Sequence, residues 1–306
     1  MKISRMLTAT SILLLVFTAM FLGGCGRLDK KQSTVQAAVP HPSTEQPVSQ
    51  TVSQPVKTEP AKPENNNLLL PELGAQPAQA NTTGNREKLV YLTFDDGPNS
   101  HFTGKVLDIL AEKNVKATFF VVGANVRLNP DVMKRIVAEG HGVANHTYSH
   151  DYKTIYKSPE AFLADLEKNN EILLQYTGMP VRIFRAPGGP HRLSSSTKEK
   201  LLGTGYISVS WNVTSADSDA NGVTAEQELN NIVKDLERVE RMKKSPILLM
   251  HDGTQLTTTE AKPGTSLAKY VQNREATVKA LPEVIELFKS KGYRFALVDE
   301  NTPPAW

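Results

Sequence analysis

Residues 89–98 read LVYLTFDDGP, an apolar and β-branched run that stops at two adjacent aspartates and a Gly-Pro pair. The run has the length and composition of a buried β-strand, and Gly-Pro is typical of a turn. Similar runs begin at Ala117, Val181, Tyr206, Ile247 and Arg294. Because helical patterns separate these runs, the sequence predicts a mainly parallel sheet covered by helices.

Amphipathic stretches between the strands predict the helices. The clearest begins at Thr224, which has Gln227 three residues later in the pattern of a capping box. Others are predicted to begin near Asp131, at Ser158 and around Glu275. Six or seven such units are too few for a complete eight-unit barrel. We therefore predict an α/β fold, an incomplete or distorted (β/α) barrel of seven units, rather than an open doubly wound sheet.

The composition is that of a soluble protein with a polar extension. The 306 residues are 39% hydrophobic and 22% charged, with a net charge of +3. This charge is too close to balance for binding nucleic acid through counter-ion release. A single cysteine, Cys25, excludes intramolecular disulfides and multi-cysteine metal sites.

Residues 1–24 have the features of a bacterial export signal. Lys2 and Arg5 precede an apolar stretch that ends in Leu22-Gly23-Gly24-Cys25. This ending resembles the lipobox of bacterial lipoproteins, which implies that Cys25 is lipidated and becomes the first residue of the mature protein. A retained anchor helix is the alternative. We predict an exported protein, lipid-anchored on the outer face of the cell membrane.

The chain from the predicted lipidated cysteine onwards divides into three parts. Residues 25–86 are rich in Pro, Gln and Thr and lack apolar periodicity, which predicts a disordered tether. A small folded module is the alternative, but this segment has no core to bury. Residues 87–300 form the predicted folded domain, and residues 301–306 a short tail.

Candidate chemistry begins at Asp95 and Asp96, directly after the first strand. Adjacent carboxylates at a strand end can point in different directions, so one could bind a metal while the other handles a proton; a solvated turn is the alternative. His146 and His150 are four residues apart, which predicts two imidazoles on one face of a helical turn. With one carboxylate they fit a metal site that keeps open coordination positions.

Five motifs follow one another along the predicted domain: TFDDGP, NHTYSH, FRAPGGP, WNVTSAD and ILLMHD. Their order resembles the polysaccharide deacetylases, the NodB-homology domain of carbohydrate esterase family four. The resemblance covers essentially the whole predicted domain. It implies metal-dependent hydrolysis of N-acetyl groups from the amino sugars of a polysaccharide.

The resemblance also implies a role for each matching residue. Asp96, His146 and His150 would bind the metal, and Asp95 would be the general base. Zn²⁺ is the ion expected, with Co²⁺ or another divalent transition metal as the alternative. The remaining assignments are His251 as general acid, Asp217 as its orienting partner, Arg185 as the partner of the base, Leu249 as the lining of the acetyl pocket, a backbone N–H near Gly188 as an oxyanion donor, and Pro187 and Trp211 as substrate-binding residues.

Three positions depart from the family pattern. Gly188 stands where an aromatic residue is usual, Ser218 where a tryptophan is usual and Thr214 where an aspartate is common. None of the three is an expected metal ligand, base or acid. We therefore expect hydrolysis to be retained, with a wider or differently shaped sugar groove.

Predicted export and anchoring favour peptidoglycan N-acetylglucosamine as the substrate, and we expect a monomer. Chitooligosaccharides or another acetylated polymer remain alternatives, as does a catalytically weak glycan-binding lipoprotein. A glycosidase that uses Asp95 and Asp96 is disfavoured, because such carboxylate pairs flank the scissile bond at about 5 to 10 Å.

Overall fold

The structure is a computed structural model that describes residues 87–253 and 261–305, all within a unit spanning Ala78–Trp306. The predicted signal peptide and tether, including Cys25, lie outside these residues. No helix in the described ranges combines the length and the apolar character needed to cross a membrane.

Parallel strands form one curled sheet. Seven of them follow the order β5-β4-β3-β2-β1-β7-β6, and β8 pairs with the beginning of β1. No pairing joins β5 to β6 in the described part of the chain, so the barrel stays open and the predicted incomplete (β/α) barrel is confirmed. The strands are β1 Leu89–Asp95, β2 Thr118–Val121, β3 Gly142–Asn145, β4 Ile183–Phe184, β5 Ile207–Ser208, β6 Val213–Thr214, β7 Ile247–His251 and β8 Arg294–Phe295.

Helices fill most of the connections between strands. The capping box predicted at Thr224 is present, since the Thr224 N–H donates to Gln227 Oε1 (2.8 Å) and the Gln227 N–H donates to Thr224 Oγ1 (3.2 Å). The last helix begins at Ser266, well before Glu275, because the Thr265 hydroxyl caps it. The helices are α1 Thr103–Glu112, α2 Gly123–Leu128, α3 Pro130–Ala138, α4 Tyr152–Ile155, α5 Pro159–Thr177, α6 Ser195–Leu201, α7 Ala225–Arg241 and α8 Ser266–Ser290, with a 3₁₀ turn at Pro190–Arg192.

The alternation of side chains along β1 separates the core from the site. Val90, Leu92 and Phe94 are fully buried and pack in the main hydrophobic cluster with residues of the surrounding helices. Thr93 and Asp95 lie on the opposite face, because successive side chains of a strand point to opposite sides. Both are nearly inaccessible to solvent, at 0% and 2% exposure. The face of β1 that is opposite the hydrophobic cluster is therefore buried and polar at Thr93 and Asp95.

The strand register brings the motifs to one edge. Asp95 is paired with His251 across β1 and β7, and Val121 with Asn145 across β2 and β3. Since the strands are parallel, their carboxyl ends meet at the same edge, where loops after the strands carry the functional residues of such folds.

At the other end of the chain, Ala305 is 5% exposed and its carbonyl oxygen accepts a hydrogen bond from Asn212.

Candidate active site

Asp96, His146 and His150 meet at the carboxyl edge of the sheet. One potential ligand atom from each lies within 4.8 Å of the other two. Asp96 Oδ1 is 3.4 Å from His146 Nε2 and 3.2 Å from His150 Nε2. Two imidazoles and one carboxylate are a donor set that binds Zn²⁺ and similar divalent ions and leaves coordination positions open.

The hydrogen bonding of these three side chains suits a metal ion. Asp96 Oδ1 is buried and has no hydrogen-bond partner among the described residues. His146 Nδ1 lies 2.9 Å from the Arg185 carbonyl oxygen, so this nitrogen carries the proton and Nε2 presents its lone pair to the site. Burial opposes ionisation of Asp96, but the nearby His150 and His146 outweigh it and lower the pKa of this carboxyl. The carboxylate is therefore charged and available.

The predicted helical turn between the two histidines is wrong. Residues 146–150 form an irregular loop in which Thr147 and His150 have φ values of 67° and 53°. The imidazole centroids are 5.0 Å apart because the chain folds back, not because the residues share a helical face. Asp165 stabilises the loop, since its Oδ1 accepts hydrogen bonds from the N–H groups of Tyr148 (2.7 Å) and Ser149 (2.9 Å).

A buried asparagine pair supports this loop from below. Asn145 Oδ1 accepts from the Thr147 N–H (2.8 Å) and from Asn169 Nδ2 (2.9 Å). Asn169 Nδ2 also donates to the carbonyl oxygens of Thr147 and Val121, each at 2.9 Å. The sequence analysis missed Asn169. The sequence pattern that could have indicated Asn169 is a polar residue on the apolar face of α5, three positions after buried Leu166.

Asp95 forms a fully buried ion pair with Arg185. Arg185 Nη1 donates to Asp95 Oδ1 at 2.7 Å and to Thr93 Oγ1 at 2.9 Å. The guanidinium also lies 3.9 Å from the Phe120 ring centroid. Burial lowers the pKa of Arg185, opposed by Asp95, yet an arginine remains charged in practice. The second oxygen, Asp95 Oδ2, is 3.6 Å from His146 Nε2, and Asp95 lines the cleft beside the metal-ligand candidates.

His251 lines the same cleft and contacts Asp217. Its Nδ1 lies 2.8 Å from Asp217 Oδ1, and its backbone N–H donates to Asp217 Oδ2 at 2.7 Å. This leaves Nε2 as the ring nitrogen available to a ligand in the cleft. Burial lowers the pKa of His251, but Asp217 outweighs it, so the net shift is upwards and the protonated form is favoured.

Two residues of α8 complete this side of the site and were missed by the sequence analysis. Arg274 Nη1 donates to Asp217 Oδ2 (3.0 Å) and to the His251 carbonyl oxygen (2.7 Å), and Thr277 Oγ1 donates to Asp217 Oδ2 (3.0 Å). Arg274 is 2% exposed. The available signal was a charged residue four positions before Val278, at the start of the apolar stripe of α8.

A cleft of about 740 Å³ opens over these groups. Leu249, Gly188, Trp211 and Ser218 line it together with the metal-ligand candidates, Asp95 and His251. Pro187 is buried instead, and its carbonyl oxygen accepts a hydrogen bond from Tyr156 (2.5 Å). Thr214 is also outside the lining, and its hydroxyl accepts from the Ala216 N–H (3.1 Å). Gly188 and Ser218 are thus the departures that face a ligand.

Backbone conformations disfavoured for residues with a Cβ are concentrated in the site. Asp96, Thr147, His150 and Ala216 have positive φ, and Asn114 and Lys243 are the other such non-glycine residues within the described ranges. Conformations of this kind persist where surrounding contacts enforce them. The turn at Asp96 places its Oδ1 3.4 Å from His146 Nε2, while Asp95 Oδ2 lies 3.6 Å from the same nitrogen. Gly253 packs tightly against this turn, since a Cβ at position 253 would overlap the Asp96 carbonyl group.

The chain is similar to known deacetylases. Residues 82–207 match the family described as polysaccharide deacetylase. A peptidoglycan-N-acetylglucosamine deacetylase of Bacillus cereus is 31% identical over 71% of this chain and 89% of its own length. A chitooligosaccharide deacetylase of Rhizobium leguminosarum bv. trifolii is 34% identical over 69% of this chain and 90% of its own length.

A solved structure shows the same fold. The catalytic domain of peptidoglycan N-acetylglucosamine deacetylase from Eubacterium rectale superposes with a TM-score of 0.57 at 29% identity. The match covers 74% of this chain and 96% of that domain.

Proposed function

This chain belongs to the polysaccharide deacetylase family and is a hydrolase of acetylated glycans; from that premise we propose that it removes N-acetyl groups from peptidoglycan N-acetylglucosamine in a metal-dependent reaction. One observation supports the metal dependence above all. The buried, unpartnered Asp96 Oδ1 faces the Nε2 atoms of His146 and His150 at 3.2 to 3.4 Å.

Asp96, His146 and His150 would hold the ion, and we propose Zn²⁺, with Co²⁺ or another divalent transition metal as the alternative. A bound ion would supply Lewis-acid chemistry: it would polarise the acetyl carbonyl and bring the pKa of a water towards about 7. The remaining steps belong to side chains of this protein. An amide needs them because it is a poor electrophile and its nitrogen is a poor leaving group.

Asp95 is the proposed general base. Its Oδ2 faces the cleft while its Oδ1 is held by Arg185 at 2.7 Å, so the attacking water can pass its proton to Oδ2. Arg185 therefore fixes the direction of the free oxygen of the proposed base by holding the other oxygen.

His251 is the proposed general acid. With Nδ1 held by Asp217, Nε2 can donate a proton to the amine nitrogen as the carbon–nitrogen bond breaks. Leu249, which is 6% exposed and lines the cleft, would contact the acetyl methyl group. The backbone N–H near Gly188 would stabilise the developing oxyanion.

The proposed substrate rests on similarity and on the predicted export. The relatives include enzymes named for peptidoglycan N-acetylglucosamine and for chitooligosaccharides. We favour peptidoglycan because a protein anchored outside the cell membrane meets this polymer first. Deacetylation of chitooligosaccharides is the second candidate, supported by the rhizobial relative.

Acetate release by the purified full-length protein in detergent tests the proposal. Peptidoglycan and chitotetraose are each supplied after chelation and after addition of Zn²⁺ or Co²⁺. We expect acetate from peptidoglycan only with metal, without shortening of the glycan. Chain shortening without acetate would indicate a glycosidase, and metal binding without acetate from either glycan would favour a glycan-binding protein.

We further propose that Cys25 anchors the exported protein. Several acyl chains on one cysteine give stable membrane attachment, whereas one chain alone is marginal. Cys25→Ala is therefore expected to move the protein from the membrane pellet to the soluble fraction or the medium, as measured by cell fractionation. Cys25→Ala protein that stays as membrane-bound as the wild type would instead support a retained anchor helix.

A further inference from the structure

Tyr152 forms an aromatic wall beside the metal-ligand candidates. It begins α4, lines the cleft and is 38% exposed. Its ring packs edge-on against His150 (centroids 5.5 Å apart) and against Tyr156 (5.8 Å). The Tyr156 hydroxyl is itself held by the Pro187 carbonyl oxygen at 2.5 Å. The exposed ring is thus fixed in position before any ligand arrives.

Gly188 makes room for this ring. A Cβ at position 188 would lie 2.8 Å from the Tyr152 hydroxyl oxygen, and Gly188 has a φ of 71°, which favours glycine. The space that an aromatic side chain at 188 would occupy is therefore filled by Tyr152. The groove is therefore differently shaped at this position rather than open, because its wall comes from another residue.

Positive charge accompanies Tyr152. Lys153 lines the cleft, and the exposed Arg192 guanidinium carbon lies 5.3 Å from the Tyr152 ring centroid. Asp151 is also on this rim, but its carboxylate caps α4. It accepts hydrogen bonds from the Lys153 N–H (3.1 Å) and the Thr154 hydroxyl (2.6 Å). The rim therefore offers an aromatic ring and the Lys153 cation, with the Arg192 cation beside the ring outside the cleft lining and the Asp151 carboxylate used internally.

We propose that Tyr152, Lys153 and Arg192 form a subsite for the sugar next to the one that is deacetylated, and that this subsite selects glycans bearing carboxylates. The inference rests on the proposed deacetylase function and deepens it. The ring contacts the apolar face of a pyranose. The cations bind carboxylate, with arginine offering two parallel donors.

Carboxylates distinguish the two candidate substrates. In peptidoglycan, each muramic acid carries a lactyl ether that ends either in a free carboxylate or in a stem peptide with carboxylates of its own. Chitin-like oligosaccharides carry neither group. The subsite therefore favours peptidoglycan strands over neutral oligomers, and the two sources of carboxylate can be separated experimentally.

The test compares three glycans of similar length with wild-type protein and a Lys153→Gln/Arg192→Gln variant. They are chitotetraose, a peptide-free strand that contains muramic acid, and a strand with stem peptides. We expect the variant to lose about 10-fold in kcat/KM on a carboxylate-bearing strand and less than about twofold on chitotetraose. Whichever strand shows the loss identifies the carboxylate bound. Tyr152→Ala is expected to lose activity on all three.

Arg241→Gln is the matched control, because Arg241 is exposed at the end of α7, on the amino-end side of β7 away from the cleft. This control is expected to match wild type on every glycan. Equal losses of the Lys153→Gln/Arg192→Gln variant on neutral and anionic glycans, or no loss on either carboxylate-bearing strand, would overturn the subsite.

Binding separates failure of the subsite from failure of the proposed function. Calorimetric titration of the same glycans into Asp95→Asn protein, with and without the two charge substitutions, needs no turnover. Binding of a carboxylate-bearing strand that weakens about 10-fold on loss of the charges supports the subsite even if no acetate is released. Binding that is indifferent to the charges overturns it.

Discussion

Replacing His146 with alanine is expected to abolish metal binding and to lower kcat/KM for acetate release by about three orders of magnitude or more. The reason is geometric: His146 Nε2 is oriented by the hydrogen bond between its Nδ1 and the Arg185 carbonyl oxygen, at 2.9 Å. The same result is expected for Asp96→Ala and His150→Ala. Metal content after dialysis, measured by plasma mass spectrometry beside the acetate assay, checks both losses.

Asp95→Asn gives the contrasting result. Asp95 points into the same cleft, but it is bound to Arg185, so the substitution is expected to keep the metal and lose about 10²- to 10⁴-fold in turnover. For the substitutions of His146 and His150, His101→Ala serves as the control, since His101 is exposed and outside the cleft lining. If Asp95→Asn loses the ion and Asp96→Ala keeps it, the two aspartates have the opposite roles.

His251→Ala is expected to lower turnover by about 10²- to 10⁴-fold while leaving the metal content unchanged, because it removes the proposed acid and no metal ligand. The pH dependence of kcat provides the more specific test. The acid works only when protonated, so the alkaline limb of the profile follows the pKa of His251.

Asp217 and Arg274 act on that pKa in opposite directions. Against the lowering effect of burial, Asp217 raises the pKa of His251, whereas Arg274 lowers it. Asp217→Asn should therefore move the alkaline limb to lower pH, and Arg274→Gln should move it to higher pH. General damage to the fold would not produce opposite shifts. Shifts in the same direction, or none, would contradict the assignment of His251 as the acid.

The sequence predicted the barrel because its signals are local. The strand at residues 89–95, the capping box at Thr224 and the Ser158 cap of α5 each depend on short-range patterns. Strands β3 and β6 were missed, since their pairing with β2 and β7 depends on a long-range register and not on their own composition. The motifs identified Asp95, the three metal-ligand candidates and His251, whereas Tyr152, Lys153 and Arg274 of the same cleft lie outside those motifs.

The contacts that arrange the site could not be read from spacing. The four-residue interval of His146 and His150 suggested a helix, whereas positive φ at Thr147 and His150 brings the rings together. Arg274 reaches Asp217 from α8, 57 positions along the chain. Tyr152 fills the space beside Gly188 from the beginning of α4. Each of these depends on tertiary packing, which a linear pattern does not encode.

Arg185 links two parts of the site that could have been independent. Its guanidinium holds Asp95, and its backbone carbonyl oxygen holds His146, so one residue orients both the proposed base and a proposed ligand. An engineer who altered position 185 to retune ion affinity would disturb proton transfer at the same time. Adjusting the preference for one cation over another should instead begin at His150, whose backbone N–H donates to Thr147 Oγ1 and whose ring packs on Tyr152, neither of which is a hydrogen-bond partner of Asp95.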